Sequence, residues 1–164
     1  MPGTLRKKVP VRPRLPAPRY GPRMRIVGHG IDLVAVARVS EMLQRHPERF
    51  LGRCFTEAEA AYCDAGGRRR GEHLAARFAA KEAAVKALGT GFRGGVSFLD
   101  VEVTRGPAGR PGLRVGGEAA RVAAAAGVTD WWLSLSHTDE HAIASVIAVA
   151  REAGAGDAGG AGTR

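Results

Sequence analysis

The distribution of hydrophobic residues along the chain switches between strand-like and helix-like periods. Mostly apolar segments predict a first strand at 25–31 and two closing strands at 131–136 and 142–149. Apolar and acidic residues alternate over 98–103, which is typical of a half-buried strand. Residues 113–115 are expected to pair back onto it after a Gly/Pro turn. The hairpin-like turns between the later strands favour antiparallel pairing.

Helical patterns separate these strands. Thr56, followed three residues later by Glu59, is a capping box that opens one helix. Gly89 follows the longest helix and is a natural residue just past a helix C-terminus. Interspersed helices and strands predict an α+β domain with a mainly antiparallel sheet, packed with one long helix and several short ones. The predicted helices are 36–46, which ends at Pro47, 56–64, 72–88 and 118–126.

Composition divides the chain into a core and two unusual ends. Residues 1–23 contain seven of the 25 basic residues, six prolines and no acid, so they carry most of the net charge of +9. We expect them to form a disordered leader, and Met24, directly before the first strand, leads to the hypothesis that the natural start lies there. Residues 24–150 are predicted to form the folded domain, and 151–164 a flexible Gly/Ala-rich tail.

Several classes of protein fit the composition poorly. No apolar run reaches the roughly 18 residues of a membrane span, and the start lacks the apolar segment of a secretory signal, so we expect a cytoplasmic protein. Cys54 and Cys63 form neither a zinc pattern nor a disulfide framework and are predicted to be buried, reduced thiols. The basic leader raises nucleic-acid binding as an alternative, but residues 24–164 are only mildly basic and carry no recognised nucleic-acid motif.

The helix predicted at 72–88 carries the most informative polar residues. Glu82 lies at the edge of its apolar face, and Lys86 lies one turn further along. These two residues fit an ordinary solvated ion pair, and they also fit a carboxylate that reaches a cleft and holds a metal ion. The apolar face is defined by Leu74, Phe78, Val85 and Leu88.

A second acid, Asp32, lies in the first apolar segment of the chain. Aspartate is disfavoured inside strands. Asp32 is therefore either the N-cap of the helix that follows or a residue of a functional site, and the local sequence is consistent with both.

Four short motifs are distributed over most of the chain. In order they are Gly30-Ile31-Asp32-Leu33-Val34, Phe55-Thr56-Glu57-Ala58-Glu59, Arg77-Phe78-Ala79-Ala80-Lys81-Glu82-Ala83 with Lys86-Ala87-Leu88-Gly89, and Ser134-Leu135-Ser136-His137. Their order and spacing resemble the holo-(acyl-carrier-protein) synthases, the small trimeric class of 4′-phosphopantetheinyl transferases. The resemblance covers roughly residues 25–149. It implies the fold of that family and transfer of 4′-phosphopantetheine from coenzyme A to a serine of an apo-acyl carrier protein, with magnesium as cofactor.

The resemblance assigns roles to individual residues. Asp32 and Glu82 match the family's magnesium ligands, which favours the site over the capping alternative for Asp32. Lys86 is expected to reach a phosphate, so these three residues form the expected catalytic set. Around the 3′-phosphate and adenine of coenzyme A, the matching residues are Arg68, Arg69, Arg77 and His137, with Lys86 as a further contact.

The resemblance also implies protein partners. Arg38 and Arg45, seven positions apart, share one face of a helix, where the family meets the acidic helix of its carrier protein. Arg49 and Arg53 extend this basic patch. A homotrimer with active sites between subunits is expected, and neither a membrane nor a nucleic acid is an expected partner.

Lys81 and His29 receive no role from the resemblance. Lys81 points into the apolar stripe of its helix and is expected to reach the surface or a subunit contact, with no assigned role. His29 departs from the family, which usually has a small or aliphatic residue there, and no role is expected for it. A magnesium-dependent phosphohydrolase using the same two acids is the weaker enzymatic alternative, because such enzymes usually gather more carboxylates around two metals.

Overall fold

The computed structural model describes residues 24–151. The predicted leader and all of the predicted tail except Arg151 lie outside the described residues. Arg151 is instead the last residue of a strand, so the folded part extends one residue further than predicted. The elements are β1 (Met24–Ala35), α1 (Val36–Arg45), α2 (Pro47–Cys54), α3 (Glu57–Asp64), α4 (Arg70–Leu88), β2 (Val101–Arg105), β3 (Pro111–Val115), α5 (Gly117–Ala125), β4 (Asp130–His137) and β5 (His141–Arg151).

The larger sheet has the strand order β1–β5–β4, and both pairings are antiparallel. Side chains alternate across it: Ala144 and Val146 are fully buried on the inner face, whereas Ile143 on the outer face is 40% exposed. Strands β2 and β3 form a separate antiparallel hairpin. This architecture confirms the predicted α+β fold with mainly antiparallel pairing.

Helix α4 runs through the middle of the domain. Twelve of its residues are buried, most of them alanines, because the helix packs on the larger sheet and also contacts α1, α3 and β2. The predicted single apolar stripe was therefore too narrow, since amphipathicity describes a helix that keeps one face in water. The C-terminus is as predicted: Gly89 adopts the left-handed conformation, with φ of 73°.

Strand β1 runs to Ala35, four residues beyond its predicted end, and the local structure also differs from the sequence predictions at Pro47 and at 98–100. Pro47 does not simply end the first helix, since it is also the first residue of α2, where its missing N–H costs no hydrogen bond. Residues 98–100 form a 3₁₀ turn in place of the start of a strand, because Asp100 accepts a hydrogen bond from the backbone N–H of Ser97, and the strand begins at Val101. The capping box of Thr56 and Glu59 is confirmed.

The cysteines and the apolar character of the helices were also predicted from the sequence. Cys54 and Cys63 are buried free thiols, as expected. Among residues 24–151, the structure contains no helix with both the length and the apolar character needed to cross a membrane.

Candidate active site

Two glycines bring β1 into close contact with α4. A Cβ atom on Gly28 would lie 2.0 Å from the carbonyl oxygen of Ala87, and one on Gly30 would lie 2.0 Å from that of Ala83. Any larger residue at either position would push the strand away from the helix. Asp32, two residues after Gly30, is consequently held beside α4.

Asp32 lies inside β1, where it is paired with Ala144 of β5. Helix α1 begins at Val36, and its N-cap is Ala35, which makes no side-chain capping bond. The capping alternative for Asp32 is therefore wrong. Its carboxylate, with 16% of the side chain exposed, instead accepts a hydrogen bond from Nζ of Lys86 at 2.7 Å.

Lys86 does not form the solvated pair with Glu82 that the helical spacing also allowed. Its ammonium bonds to Asp32 on another element and donates to the carbonyl oxygen of Ile31 at 3.3 Å. Among residues 24–151, no salt bridge involves Glu82. Lys86 thus links α4 to β1 and leaves the Glu82 carboxylate without a cationic partner in direct contact.

Glu82 lies in an environment that disfavours its charge. Burial raises the pKa of its carboxyl group, and the negative charge of Asp32 raises it further. The positive charges of Lys86 and Arg38 act in the opposite direction and are smaller effects. Two neighbouring carboxylates that repel one another form a site at which a cation is stabilising.

Asp32 and Glu82 fit a magnesium ion by the chemistry of their donor atoms. Both supply hard carboxylate oxygens, and they come from two rigid elements, β1 and α4. No group of three or more His, Cys, Asp or Glu residues suited to a metal ion occurs within 24–151. The pair therefore suits a cation that completes its coordination with water and substrate phosphate, as Mg²⁺ typically does.

A cavity of about 310 Å³, here called the α4 cavity, opens beside the first half of α4. It is lined by Arg69, Arg77 and His137, three of the residues predicted to surround coenzyme A. Arg77 is only 7% exposed, and its guanidinium carbon lies 4.0 Å from the ring centre of Tyr62. Cations therefore gather around this cavity although the residues come from distant parts of the chain.

Hydrogen bonds orient two of these side chains. Nη2 of Arg69 lies 3.0 Å from Nε2 of His137, and Nδ1 of His137 lies 3.1 Å from a carboxylate oxygen of Glu72. This geometry fits a His137 tautomer in which Nδ1–H donates to Glu72 and Nε2 accepts from Arg69. Nε of Arg69 also donates to Glu72 at 3.0 Å.

His73 lines the α4 cavity together with several positively charged side chains. Its pKa is lowered first by burial and then by the charges of Arg77, Arg69 and His137, with only Glu72 opposing them. Its Nδ1 is buried and has no hydrogen-bond partner within the described part of the chain. The guanidinium groups of Arg69 and Arg77 beside His73 indicate a cavity suited to an anion.

A second cavity of about 380 Å³, here called the α1–α2 groove, lies between the first two helices. Arg45, Arg49 and Arg53 line it around the apolar side chains of Met42 and Phe50. The predicted basic patch is therefore assembled by α1 and α2 together. Arg38, in contrast, does not line this groove and lies close enough to Glu82 to influence its pKa.

The sequence and the fold correspond to one family. The sequence profile of the 4′-phosphopantetheinyl transferase superfamily matches residues 28–146. The chain belongs to this superfamily. A relative from Koribacter versatilis, named holo-[acyl-carrier-protein] synthase, is 52% identical over 122 residues, which cover 74% of this chain and 97% of the relative. The resemblance seen in the motifs is thereby confirmed.

Solved structures of the superfamily share the fold. The holo-[acyl-carrier-protein] synthase from Neisseria meningitidis superposes with a TM-score of 0.69 at 33% identity, covering 76% of this chain and 98% of that chain. A holo-(acyl-carrier-protein) synthase from Bacillus anthracis, solved in complex with CoA (3′,5′-ADP), has a TM-score of 0.64 at 38% identity and covers 78% and 99%.

Not all predicted site residues come together. Arg68 lies in the 3₁₀ turn Gly67–Arg69, is exposed and does not line the α4 cavity, unlike its neighbour Arg69. Three residues that were not predicted from the sequence line the same cavity: Tyr62, His73 and Arg105. No sequence pattern marks them, because they come from α3, α4 and β2 and meet only through the packing of these elements.

The expectation for Lys81 was wrong. Its side chain is fully buried, and its ammonium lies 2.7 Å from the carboxylate of Glu59 and 3.0 Å from the carbonyl oxygen of Phe98. Glu59 also accepts hydrogen bonds from the backbone N–H groups of Val103 and Thr56. Lys81 therefore ties α4 to α3 and to the segment before β2 inside the core, next in sequence to Glu82.

His29 lies on the outer face of β1, where it is paired with Ile147 of β5. It is exposed, and its Nε2 lies 3.0 Å from the hydroxyl of Ser145 on β5.

Proposed function

We propose that this chain is a holo-(acyl-carrier-protein) synthase that transfers 4′-phosphopantetheine from coenzyme A to a serine of an apo-acyl carrier protein. The observation that carries the proposal is the placement of Asp32 and Glu82 as neighbouring carboxylates on β1 and α4, with Lys86 bonded to Asp32. The identity of 52% to a relative with this name supports it.

In this proposal, Asp32 and Glu82 hold Mg²⁺. When bound, the ion would stabilise negative charge on the transferred phosphoryl group and on the leaving 3′,5′-ADP. The raised pKa of Glu82 agrees with this role, because a bound cation relieves the repulsion between the two carboxylates. Gly28 and Gly30 hold the Asp32 side chain at α4, so the ligands are preorganised by backbone packing.

Lys86 contributes a positive charge to the phosphates. Its side chain is 48% exposed. Its ammonium donates to the Asp32 carboxylate and to the Ile31 carbonyl oxygen, so it lies on the solvent-facing side of the proposed metal site. A lysine ammonium acts as a flexible point charge, which suits a pyrophosphate whose charge shifts during transfer.

The α4 cavity receives the 3′-phosphoadenosine part of coenzyme A. Arg77 and Arg69 bind phosphate oxygens, and His137, held by Glu72, orients Arg69 through Nε2. The Bacillus anthracis relative was solved with CoA (3′,5′-ADP), which supports a nucleotide ligand for this fold. Arg68 is not assigned to coenzyme A in this proposal, because it does not line the cavity.

The reaction needs no nucleophile from this chain. The carrier serine oxygen forms a new bond to the phosphorus that bears the pantetheine, and the bond from that phosphorus to the bridging oxygen of the diphosphate breaks. The serine proton passes to solvent, and 3′,5′-ADP leaves. Lys86 positions the diphosphate, and Arg69 and Arg77 hold the 3′-phosphoadenosine end of coenzyme A.

The carrier protein docks at the α1–α2 groove. Three arginines surround an apolar floor there, which is complementary to an amphipathic, acidic helix. Arg38 lies between this groove and Glu82 and guides the acidic segment towards the metal site. Which carrier protein is bound depends on the charge pattern of its helix.

The proposed assembly is a homotrimer. The outer face of the larger sheet exposes large apolar side chains that a single copy leaves in water: Ile26, Ile31, Leu33, Trp132 and Ile143. A contiguous apolar surface of this kind marks a protein contact. Further copies of the chain cover this face and place the α4 cavity near a neighbouring subunit.

Intact-mass spectrometry of a purified apo-acyl carrier protein tests the activity. After incubation with this protein, coenzyme A and Mg²⁺, the carrier is expected to gain one phosphopantetheine group. The Asp32→Ala/Glu82→Ala variant, and wild-type protein with chelator, are expected to show no gain. Absence of any gain with several different apo-carriers would reject the proposed function.

A further inference from the structure

Arg105, the last residue of β2, lines the α4 cavity together with Arg69 and Arg77. Neither the motifs nor the family resemblance assigned it a role. It belongs to the β2–β3 hairpin, so it reaches the cavity from a different element than Arg77 of α4.

The side chain of Arg105 is held in place by contacts on both sides. Its Nη1 donates to the hydroxyl of Tyr62 at 3.1 Å, and its Nε donates to the carbonyl oxygen of Gly109 at 3.4 Å. Gly109 has a φ of 78°, and a Cβ atom there would lie 2.9 Å from Nη2 of Arg105. Because Gly109 has no side chain, the hairpin turn leaves room for the Arg105 guanidinium.

Tyr62 brings Arg105 together with Arg77. The guanidinium carbon of Arg77 lies 4.0 Å from the centre of the Tyr62 ring, and that of Arg105 lies 5.5 Å from it. Both guanidinium groups therefore contact the same ring and line the same cavity. Guanidinium forks bind phosphate with high geometric specificity.

No acidic side chain among the described residues pairs with Arg77 or Arg105. Among residues 24–151, neither Arg77 nor Arg105 forms a salt bridge, and Glu72 is engaged by Arg69 and His137. Like charges around one cavity repel each other, so an anionic ligand in the cavity stabilises this arrangement. A phosphate monoester, which carries nearly two negative charges near neutral pH, is the matching chemistry.

We propose that Arg105 is a specificity-determining residue that binds the 3′-phosphate of coenzyme A and discriminates against 3′-dephospho-coenzyme A. The inference rests on the proposed function, because it places the nucleotide end of coenzyme A in the α4 cavity. Tyr62 and Gly109 position Arg105, and Arg77 supplies the second guanidinium.

Calorimetric binding of coenzyme A and of 3′-dephospho-coenzyme A, in the presence of Mg²⁺, tests this role. Wild-type protein is expected to prefer coenzyme A. Arg105→Met is expected to lose about tenfold or more in affinity for coenzyme A, while its affinity for the dephospho compound changes by less than about twofold. Arg114→Met is the matched control, since Arg114 is an exposed arginine of β3 outside the cavity and should leave both affinities unchanged.

Gly109→Ala provides a second test that keeps the positive charge. The added methyl group displaces the Arg105 guanidinium, so the preference for coenzyme A should fall although the net charge is the same. This variant and Arg105→Lys decide the question if Arg105→Met does not fold, as judged by circular dichroism.

The outcomes separate the two proposals. If wild-type protein prefers coenzyme A and the folded Arg105 and Gly109 variants keep the full preference, the role of Arg105 is overturned and the proposed function stands. If wild-type protein transfers phosphopantetheine but binds coenzyme A and 3′-dephospho-coenzyme A equally, the protein does not recognise the 3′-phosphate and the inference is overturned. If wild-type protein neither binds coenzyme A nor modifies a carrier, the proposed function fails first.

Discussion

The ammonium of Lys86 lies 2.7 Å from the carboxylate of Asp32, and this contact joins the central helix α4 to the strand β1. It exists only because the backbones of the two elements approach so closely. Gly30 provides that approach, since a Cβ atom there would meet the carbonyl oxygen of Ala83 at 2.0 Å. The geometry of the proposed metal site therefore depends on a residue that has no side chain.

Replacing Gly30 by alanine should disturb both stability and metal binding. We expect Gly30→Ala to lower the free energy of unfolding by about 1–3 kcal/mol, because the methyl group overlaps α4. The same shift moves Asp32 relative to Glu82, so Mn²⁺ binding, measured by electron paramagnetic resonance, should weaken. Gly52→Ala is the control, since a Cβ atom there meets nothing within 4 Å. Equal effects of both variants would contradict this account.

The buried ion pair between Lys81 and Glu59 should be important for stability. We expect Lys81→Met to lower the free energy of unfolding by about 3–5 kcal/mol, because it leaves the Glu59 carboxylate buried without its cation. Glu59→Gln/Lys81→Met, which removes both charges, should recover much of this loss. Urea denaturation measures both variants.

The exposed pair of Arg114 and Glu102 provides the comparison for that experiment. Arg114→Met should change the free energy of unfolding by less than about 1 kcal/mol, since solvent screens exposed pairs. A similarly small effect of Lys81→Met would show that the buried pair is not required.

Reversing a charge in the α1–α2 groove should affect the carrier protein and not coenzyme A. We expect Arg45→Glu to raise the KM for the carrier by about tenfold or more, because an acidic helix then meets a negative charge. The KM for coenzyme A should stay within about twofold. Steady-state assays with Arg121→Glu on α5, which lines neither cavity, serve as control. An unchanged carrier KM for Arg45→Glu would place the docking surface elsewhere.

A charge on the outer face of the larger sheet should prevent the proposed assembly. Leu33 is 62% exposed on that face. We expect Leu33→Glu to run as a monomer in size-exclusion chromatography with light scattering, because burying an unpaired carboxylate in an apolar contact is costly. Leu99→Glu, at a 47% exposed leucine of the turn before β2, should assemble as the wild type does. A wild-type protein that is itself monomeric would reject the trimer.

The thiol of Cys63 should make stability depend on pH in the alkaline range. Burial raises its pKa to about 11 from an ordinary value of 9.0. The folded state therefore holds the proton more tightly than the unfolded state, so this contribution is fully present below pH 9.0 and is lost as the pH rises towards 11. The loss amounts to about 2–3 kcal/mol over that interval.

Comparison with Cys63→Ala isolates this effect from the other groups that titrate at high pH. The difference in free energy of unfolding between wild type and variant should narrow as the pH rises from 9 to 11. A difference that stays constant over this range would mean that the thiol is not shielded from solvent in the folded state.

Several features of this protein follow from the sequence by itself. Alternation and turn residues predicted the antiparallel strands, and Thr56 with Glu59 marked a helix start, because these signals act between residues close in the chain. The motif around Asp32 and the motif around Glu82 indicated the family, which the 52% identical relative bears out. Short-range patterns and motifs were sufficient for the fold class and the family.

The tertiary structure alone decided how these pieces meet. Lys86 could pair with Glu82 or with Asp32, and only the contact of β1 with α4 selected Asp32. Lys81 looked like a surface lysine until the packing of α3 against α4 supplied Glu59 as a buried partner. The position of Arg105 over Tyr62 depends on two elements more than 40 residues apart. Such contacts depend on where elements pack in space, which the spacing of residues along one element does not encode.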